Sequence, residues 1–346
     1  MANVAVGGAT GYGGIELIRL LLAHPQVDLT FLSSETYAGQ QVCDVHPHLP
    51  NAKGILRALD PAAMARECDY ALLALPPGKS MEIVPQLLEA GVRVVDVGPD
   101  YRLRDTDLYP KWYDLSHTSA ELSAEAVLGV PELHRERIAA ARLVACPGCY
   151  STAAVLAMAP LVAEGLIDVT DIVLDGKSGV SGAGRTALKL PYHFPEANET
   201  VNAYAVGGHR HLPEMVQELQ ALTDATVSVT FVPHLVPMTR GILMTAYVTP
   251  TAETGADALR DAMQRRYGDE AFVHVLPDGQ WPQTKWVQGT NLCFLGVGIA
   301  QASGKAIIVA AIDNLGKGMA GQMVQCLNLM LGVDESTGLT ARSVCP

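Results

Sequence analysis

One cysteine of this chain lies where a thiol can act as a nucleophile. Cys149 follows Pro147-Gly148, which ends an apolar strand-like stretch at Ala145, and an alanine-rich helical pattern begins directly after it. The positive end of a helix dipole stabilises a thiolate over a thiol, so a cysteine at a helix N-terminus is a competent nucleophile near neutral pH. The pattern predicts covalent catalysis by Cys149, and the alternative is a small buried cysteine without chemistry.

A second thiol, Cys146, stands three residues before the first and creates a C-x-x-C spacing. This spacing also occurs in dithiol oxidoreductases, in which both cysteines are required. The chain has seven cysteines among its 346 residues, and this odd number fits a reducing compartment better than a disulfide framework.

An acid/base group is offered by the segment His209–Glu214, which holds two imidazoles, a carboxylate and an arginine. The alternative without chemistry is a polar helix start with Pro213 near the first turn. A metal pair is a third interpretation, with His209 and His211 on one face of a strand, but no further ligand cluster completes it and we predict no metal site. The other paired histidines, His46-Pro47-His48, are expected in a surface loop.

A glycine-rich loop follows the first apolar stretch of the chain. Gly8, Gly11 and Gly14 come after the strand-like run Asn3–Gly7, and Ile15 and later apolar residues recur at helical spacing. Glycines in a strand-to-helix turn let a pyrophosphate approach the backbone N–H groups of the helix start. The context favours a dinucleotide site over a merely tight turn.

The next strand pattern ends in Leu32-Ser33-Ser34-Glu35, where the adenosine ribose of a dinucleotide should lie. An acid at this point binds the 2′-hydroxyl and repels a 2′-phosphate, whereas serines favour NADP. Ser33 and Ser34 therefore predict NADP, and a Glu35 side chain directed at the ribose would weaken or reverse that preference.

The order of elements indicates two domains. Strands at about 27–32, 70–75 and 92–97 alternate with helical patterns, which predicts an α/β fold with a Rossmann-type doubly wound parallel sheet. After Cys149 the pattern changes to long strands separated by turns, which predicts a second α+β domain with a large, mainly antiparallel sheet. A last helix at about 318–331 is expected to return to the first domain.

Composition excludes several classes of partner. The net charge of −12 argues against a nucleic-acid or acidic-membrane surface, and no stretch has the apolar length of a membrane span. The N-terminus lacks the basic and apolar regions of a signal peptide, so we expect a cytoplasmic protein.

Nine ordered motifs carry a resemblance that runs through nearly the whole chain. The sequence resembles the aspartate-semialdehyde dehydrogenase-like family, and within it the N-acetyl-gamma-glutamyl-phosphate reductases of arginine biosynthesis. The motifs are Gly8–Gly14 with Glu16-Leu17, Ala74–Gly78, Asp100–Leu103, Val130–Leu133, Pro147–Tyr150 with Thr152, Ser178–Arg185, His209–Glu214, Gly289–Asn291, and Ile312–Leu315 with Lys317-Gly318.

The resemblance implies catalytic, substrate-binding and cofactor-binding roles for particular residues. Cys149 would accept the acyl group, and an imidazole of the run His209-Arg210-His211 would be the acid/base, with His209 preferred over His211. Arg102 would bind the phosphoryl group, its alternative being a surface ion pair with Asp100 or Asp105, while His211 and Glu214 would orient a small-molecule acyl phosphate. The residues implied for NADP are Gly8, Thr10, Gly11, Tyr12, Gly13, Ser33, Ser34 and Pro76, with Ser181, Gly182 and Asn314 at the nicotinamide end.

Organisation follows from the same resemblance. Residues 1–147 and 315–346 would form the NADP-binding domain, and residues 148–314 the catalytic and oligomerisation domain. The resemblance also implies a homo-oligomer, commonly a tetramer. The expected reaction is the NADPH-dependent reduction of N-acetylglutamyl 5-phosphate to the semialdehyde through a thioacyl enzyme.

The chain departs from the family pattern at four places. Cys146 replaces the usual Asn, Gly98-Pro99 replaces Ser-Ala, Ser151 replaces Pro, and Glu35 replaces the Arg that usually follows the serines. We predict that Cys146 is dispensable for turnover but makes the enzyme sensitive to oxidation, and that Cys345 is a bystander.

Three alternatives to this function remain open at the level of sequence. A lysine-pathway relative would reduce an aminoadipyl phosphate attached to a carrier protein, and one methylene discriminates such substrates only weakly. A dithiol redox protein would use both Cys146 and Cys149. A non-catalytic regulator would bind NADP and tolerate Cys149→Ser.

Overall fold

The computed structural model describes residues 1–186, 189–251 and 254–344. The packing of the backbone divides them into two units. The first contains Met1–Pro147, Gly184–Thr186 and Met319–Thr340, and the second contains Gly148–Ala183 together with the described parts of 187–318 and 341–346.

Strands and helices are numbered here in chain order. The strands are β1 (Ala2–Gly7), β2 (Val27–Leu32), β3 (Tyr70–Leu73), β4 (Arg93–Asp96), β5 (Val127–Leu128), β6 (Leu143–Ala145), β7 (Ile172–Ser178), β8 (Asn202–Ala203), β9 (Val229–Leu235), β10 (Ile242–Val248), β11 (Val273–Val275), β12 (Cys293–Ile299) and β13 (Ala306–Ile312). The helices are α1 (Tyr12–Leu21), α2 (Val42–Val45), α3 (Pro61–Glu67), α4 (Lys79–Glu89), α5 (Tyr109–Tyr113), α6 (Ala120–Glu125), α7 (Pro131–Ala140), α8 (Cys149–Ala163), α9 (Phe194–Ala197), α10 (Leu212–Gln220), α11 (Ala256–Tyr267), α12 (Thr284–Val287) and α13 (Gly321–Leu331).

The first unit contains a parallel sheet in the order β2-β1-β3-β4-β6-β5. Its central strands are continuous apolar runs, because helices cover both faces of such a sheet. The strand order reverses between β1 and β3, and ligands of open parallel sheets bind at this switch point, beyond the carboxyl ends of the strands. The predicted Rossmann-type sheet is confirmed.

The second unit contains a mixed sheet in the order β11-β12-β13-β10-β7-β9-β8. Its long central pairings, β12 with β13, β13 with β10 and β10 with β7, are antiparallel, as is β8 with β9. The pairs β7–β9 and β11–β12 are parallel, a feature that the sequence did not reveal. The prediction of a mainly antiparallel sheet is confirmed.

Helix α8 is the centre of the second unit. It begins at Cys149, and its residues from Tyr150 to Val162 are all buried. A helix that is apolar on all sides belongs inside a protein rather than on its surface. Helix α8 packs against α10, α11, β10 and β13, so the first residue of α8 is attached to a buried element that several others hold in place.

Helix α13 lies in the first unit, where it packs against α7 and α1. A π-helical turn, Gly316–Ala320, precedes it. The expected helix near 318–331 is therefore present, although its regular part begins three residues later. Among the helices described, none has the length and apolar character needed to cross a membrane.

Candidate active site

The glycine loop joins β1 to α1, and its glycines differ in the space that is available for a side chain. Gly8 has φ +78°, and a Cβ there would overlap the carbonyl oxygen of Ala74 on the neighbouring loop. A Cβ on Gly14 would overlap the carbonyl oxygen of Gly8, and one on Gly13 would overlap the side chain of Met319. Among the described residues, a Cβ on Gly11 at the start of α1 would have only the carbonyl oxygen of Gly8 within 4 Å, at 3.7 Å. Gly11 thus leaves room beside the start of α1, where the backbone N–H groups of a helix attract an anion.

The hydroxyls at the end of β2 are bonded to this loop. The N–H of Gly8 donates to Oγ of Ser33 at 3.0 Å, and the hydroxyls of Thr10 and Ser34 lie 2.9 Å apart. Ser33 and Ser34 are both buried. The structure thus brings together these predicted cofactor residues, and their hydroxyls fit a ribose phosphate beside the loop.

The carboxylate of Glu35 is directed to another segment. Its Oε1 accepts the backbone N–H of Leu59 at 2.8 Å. Ser34 rather than Glu35 therefore contacts the glycine loop, which favours the NADP prediction.

The predicted residue Pro76 is exposed in the loop between β3 and α4. The buried carboxylate of Asp100 holds this loop, because it accepts the N–H of Gly78 at 2.8 Å and that of Met81 at 3.1 Å. Asp100 thereby caps the start of α4 and connects it to the turn that carries Arg102.

A buried carboxyl, Asp96, lies at the end of β4. Its Oδ1 accepts hydrogen bonds from Oγ of Ser80 and the N–H of Gly98, both at 2.9 Å. Burial, and secondarily the charge of Asp100, raises the pKa of Asp96 to about 7. A Cβ at Gly98 would lie 3.1 Å from both carboxyl oxygens, so glycine suits this departure from the family pattern.

Arg102 follows this turn and is only 8 % exposed. Its Nη2 donates to the carbonyl oxygen of Val97 at 2.5 Å. The alternative placed Arg102 on the surface, and this position is wrong because the residue is buried.

Cys149 is the first residue of α8 and is partly exposed. Gly148 before it has no side chain to cap the helix. Instead its N–H donates to Oε2 of Glu214 at 2.7 Å, and Glu214 is fully buried. The ring of His211 lies against the same glycine, since a Cβ at Gly148 would overlap its imidazole. The predicted residues Cys149, His211 and Glu214 are thus assembled at one helix start.

The imidazole of His209 lies beside this group. Its ring centroid is 4.7 Å from that of His211 and 5.5 Å from that of Tyr150, and both pairs of rings are nearly perpendicular. Burial, and secondarily the charge of Arg210, lowers the pKa of His209 to about 4. His209 is therefore neutral near pH 7.

The tautomer of His209 follows from one contact. Its Nδ1 accepts the backbone N–H of His211 at 3.1 Å, so the proton of the neutral ring is on Nε2. The two histidines do not share a strand face, as the metal interpretation required. They lie in the turn before α10, and Pro213 stands in the first turn of that helix, as the interpretation of a polar helix start predicted. Since Nδ1 is engaged by a backbone donor, this pair does not present a metal site.

Sequence reasoning missed Tyr204. Its ring is nearly perpendicular to that of His209 at 5.5 Å, and its hydroxyl lies 3.5 Å from that of Tyr150. Burial raises the pKa of Tyr204, so this phenol keeps its proton near pH 7. No local pattern marks Tyr204, since it stands in a loop of polar and small residues.

The residues predicted for the nicotinamide end also lie together. Nδ2 of Asn314 donates to Oγ of Ser181 at 2.9 Å, and its Oδ1 accepts the N–H of Gly241 at 2.7 Å. A Cβ at Gly182 would be 3.8 Å from the same amide nitrogen. Asn314 therefore fixes the turn that carries Ser181 and Gly182.

Two further predictions concern residues at the margins of the site. Cys146 is fully buried at the end of the first unit, and its N–H donates to the carbonyl oxygen of Asp96 at 2.7 Å. The segment His46-Pro47-His48 lies in a loop as predicted, with Pro47 and His48 exposed, but His46 itself is only 2 % exposed. Cys345 lies outside the described residues.

Comparisons with known proteins agree with this arrangement. Residues 3–141 match the family model described as semialdehyde dehydrogenase, NAD binding domain, and residues 149–314 match semialdehyde dehydrogenase, dimerisation domain. Relatives from Moorella thermoacetica and Desulforudis audaxviator, both named N-acetyl-gamma-glutamyl-phosphate reductase, are 45 % and 48 % identical, and each match covers 100 % of both chains.

Solved structures show the same fold at lower identity. Aspartate semialdehyde dehydrogenase II of Vibrio cholerae, complexed with ASA, is 21 % identical with a TM-score of 0.73, and the match covers 96 % of this chain and 98 % of that one. The Candida albicans aspartate semialdehyde dehydrogenase with NADP is 17 % identical with a TM-score of 0.72 over 96 % and 98 % of the two chains.

Proposed function

Because this chain belongs to the semialdehyde dehydrogenase family, and within it to the N-acetyl-gamma-glutamyl-phosphate reductases, we propose that it reduces N-acetyl-L-glutamyl 5-phosphate with NADPH. The products are N-acetyl-L-glutamate 5-semialdehyde and phosphate, a step of arginine biosynthesis. One observation carries the proposal: Cys149 is the first residue of a buried helix and has a neutral imidazole beside its helix start.

Covalent catalysis begins at Cys149. Its thiolate attacks the acyl carbon, a C–S bond forms, and the C–O bond to the phosphoryl group breaks with departure of phosphate. When bound, NADPH supplies the hydride that reduces the resulting thioacyl carbon. Cleavage of the C–S bond then releases the aldehyde and restores the thiolate.

His209 acts through the proton on Nε2. That N–H is a hydrogen-bond donor for the oxygen that becomes negative each time the acyl carbon is tetrahedral. The bond between Nδ1 and the His211 N–H holds the ring in this tautomer, so His209 serves as a hydrogen-bond donor during reduction and keeps its proton. Activation of the thiol then falls to the N-terminus of α8.

Three residues bind or orient the substrate in this proposal. Arg102 binds the phosphoryl group, because the planar guanidinium fork matches phosphate oxygens. Glu214 and His211 orient the reacting carbonyl relative to Cys149. Their contacts with Gly148 support this role, since both fix the backbone next to the sulfur.

The coenzyme residues are those of the glycine loop, the end of β2 and the Ser181 turn. Open space at Gly11 and the paired hydroxyls of Thr10 and Ser34 support binding of the pyrophosphate and the ribose phosphate. The remaining residues proposed for NADP are Gly8, Tyr12, Gly13, Ser33, Pro76, Ser181, Gly182 and Asn314.

We also propose how the chain is organised. Residues 1–147 and 315–346 form the NADP-binding domain, and residues 148–314 form the catalytic and oligomerisation domain of a cytoplasmic homotetramer. The match of 149–314 to a dimerisation domain supports the second assignment. The names of the full-length relatives favour this function over the carrier-linked aminoadipyl alternative, and the dithiol alternative has no such support.

The reverse reaction tests the proposal. NADP⁺ reduction is followed by NADPH absorbance with N-acetyl-L-glutamate 5-semialdehyde, with and without inorganic phosphate. We expect phosphate-dependent turnover, its loss in Cys149→Ser, and its retention in the control Cys293→Ser, which changes a buried cysteine of β12. Phosphate-independent turnover, or full activity of Cys149→Ser, contradicts the mechanism.

A further inference from the structure

The guanidinium of Arg185 lies against the glycine loop. Its Nη1 donates to the carbonyl oxygen of Thr10 at 2.8 Å, and its central carbon is 5.6 Å from the ring centroid of Tyr37. Arg185 is exposed to solvent and belongs to the first unit together with both partners. A cation is therefore held at the loop by a carbonyl and an aromatic ring.

Hydroxyl groups surround the same turn. The hydroxyl of Thr10 is 2.9 Å from that of Ser34, which also accepts the N–H of Tyr37 at 3.3 Å. Thr10 and Tyr37 thus contact both the Ser34 hydroxyl and Arg185. One cation and two hydroxyls at the end of β2 are the groups that a ribose phosphate needs as partners.

Three ionisable residues near this turn, Arg57, Glu35 and His46, do not take over the role of Arg185 as a cation at the glycine loop. The nearby Arg57 accepts the N–H of Ser34 with its carbonyl, but its guanidinium is paired with Glu67 at 2.7 Å. Glu35 contributes a negative charge at the position where family members usually have an arginine. Burial, and secondarily the charge of Arg185, lowers the pKa of His46, which leaves that imidazole neutral near pH 7.

We propose that Arg185 binds the 2′-phosphate of NADPH. Arg185 supplies the positive charge that Glu35, the residue after the paired serines, does not provide. The guanidinium fork keeps one N–H on the Thr10 carbonyl and directs its other N–H groups to the phosphate oxygens. The hydroxyls of Thr10 and Ser34 donate to the same group. This inference rests on the proposed use of NADPH.

Coenzyme binding without substrate is the direct test. Isothermal titration calorimetry gives Kd for NADPH and for NADH, which lacks the 2′-phosphate. For Arg185→Gln we expect Kd for NADPH to rise about 10- to 100-fold, because a charge-assisted hydrogen bond is lost, and Kd for NADH to stay within about twofold. Arg185→Lys should recover part of the NADPH affinity.

The matched control is Arg57→Gln, which removes a neighbouring guanidinium that is paired with Glu67. Its ratio of the two dissociation constants should equal that of the wild type. Equal weakening of both coenzymes by Arg185→Gln would show that Arg185 only supports the loop, and unchanged NADPH affinity would overturn the inference as well. Failure of the wild-type protein to bind NADPH would overturn the proposed function too, so the two failures are distinguishable.

Discussion

The backbone N–H of Gly148 donates a 2.7 Å hydrogen bond to Oε2 of Glu214, 66 positions further along the chain. Gly148 immediately precedes Cys149, and Glu214 is a fully buried residue in the first turn of α10. The bond satisfies one of the N–H groups that the start of α8 leaves without a helical partner. It also fixes α10 to the residue next to the nucleophile.

Replacement of Glu214 should destabilise the protein through this bond. Glu214→Ala leaves a buried N–H without its acceptor, which costs about 1–3 kcal/mol in the free energy of unfolding. Glu214→Gln keeps a side-chain oxygen and should cost less. Urea unfolding measures both, and the exposed Glu121→Ala on α6 is the control, expected within about 0.5 kcal/mol of wild type. Equal losses for Ala and Gln would argue against the bond.

A methyl group at Gly148 should disturb the site directly. In Gly148→Ala the added Cβ overlaps the buried ring of His211, so the imidazole or the start of α8 must shift. We expect kcat/KM to fall at least about tenfold, since small displacements of catalytic groups are costly. Gly208→Ala is the matched control, because its Cβ meets nothing within 4 Å. Similar kinetics for the two variants would refute this packing.

The pKa of His209 makes stability depend on pH in the acid range. The folded protein protonates this ring only near pH 4, whereas an imidazole in the unfolded chain is protonated near its ordinary value of 6.5. The contribution of His209 to the free energy of unfolding is present above pH 6.5 and is lost as the pH falls towards 4. This contribution amounts to about 3 kcal/mol.

His209→Gln should therefore lose less stability than wild type between pH 7 and pH 4. Urea unfolding at a series of pH values measures the difference. The exposed His48→Gln should retain the wild-type dependence. A His209→Gln curve parallel to that of the wild type would mean that the ring titrates normally.

Asp96 should produce the opposite trend. Burial, and then the charge of Asp100, raises its pKa from 3.8 to about 7, so the folded protein holds a proton that the unfolded chain releases. The contribution of Asp96 is present below pH 3.8 and is lost as pH rises through 7. Relative to wild type, Asp96→Asn should gain about 2–3 kcal/mol in the free energy of unfolding between pH 5 and pH 8. A constant difference across this range would disprove the shift.

Cys146 should be dispensable for turnover. It is fully buried, and burial shields a thiol from peroxide, so the oxidation sensitivity expected from the sequence should be absent. We expect Cys146→Asn to keep kcat within about threefold of wild type and to be inactivated by hydrogen peroxide at the wild-type rate. Residual activity after timed exposure to peroxide measures this. Slower inactivation of the variant would show that peroxide reaches Cys146, and loss of turnover would favour a dithiol mechanism instead.

The elements of the fold were predictable where one local pattern dominates. The helix from Cys149 and the turn at Gly8–Gly14 follow from glycine, proline and apolar spacing within a few residues. The helix start at Leu212 was among the interpretations of the sequence, because Pro213 is typical of a first helical turn, and it excludes the strand that a metal pair of His209 and His211 required.

Contacts between distant segments could not be read from the sequence. His46 belongs to a segment that was predicted to form a surface loop, but its side chain is buried in the first unit. Arg185 stands 175 positions from Thr10. Periodicity and turn residues describe neighbours along the chain, so they contain no information about a contact between residues so far apart in sequence.

Because α8 is buried along nearly its whole length, we expect it to open only in the slowest motions of the second unit, and Cys149 is its first residue. A helix with apolar contacts on every side exchanges its amide hydrogens only when the surrounding structure opens as a whole. Cys149 is therefore anchored to a segment whose local opening is as rare as unfolding of the unit. Heat should abolish activity at the temperature at which this unit melts, without an earlier loss from a loosened nucleophile.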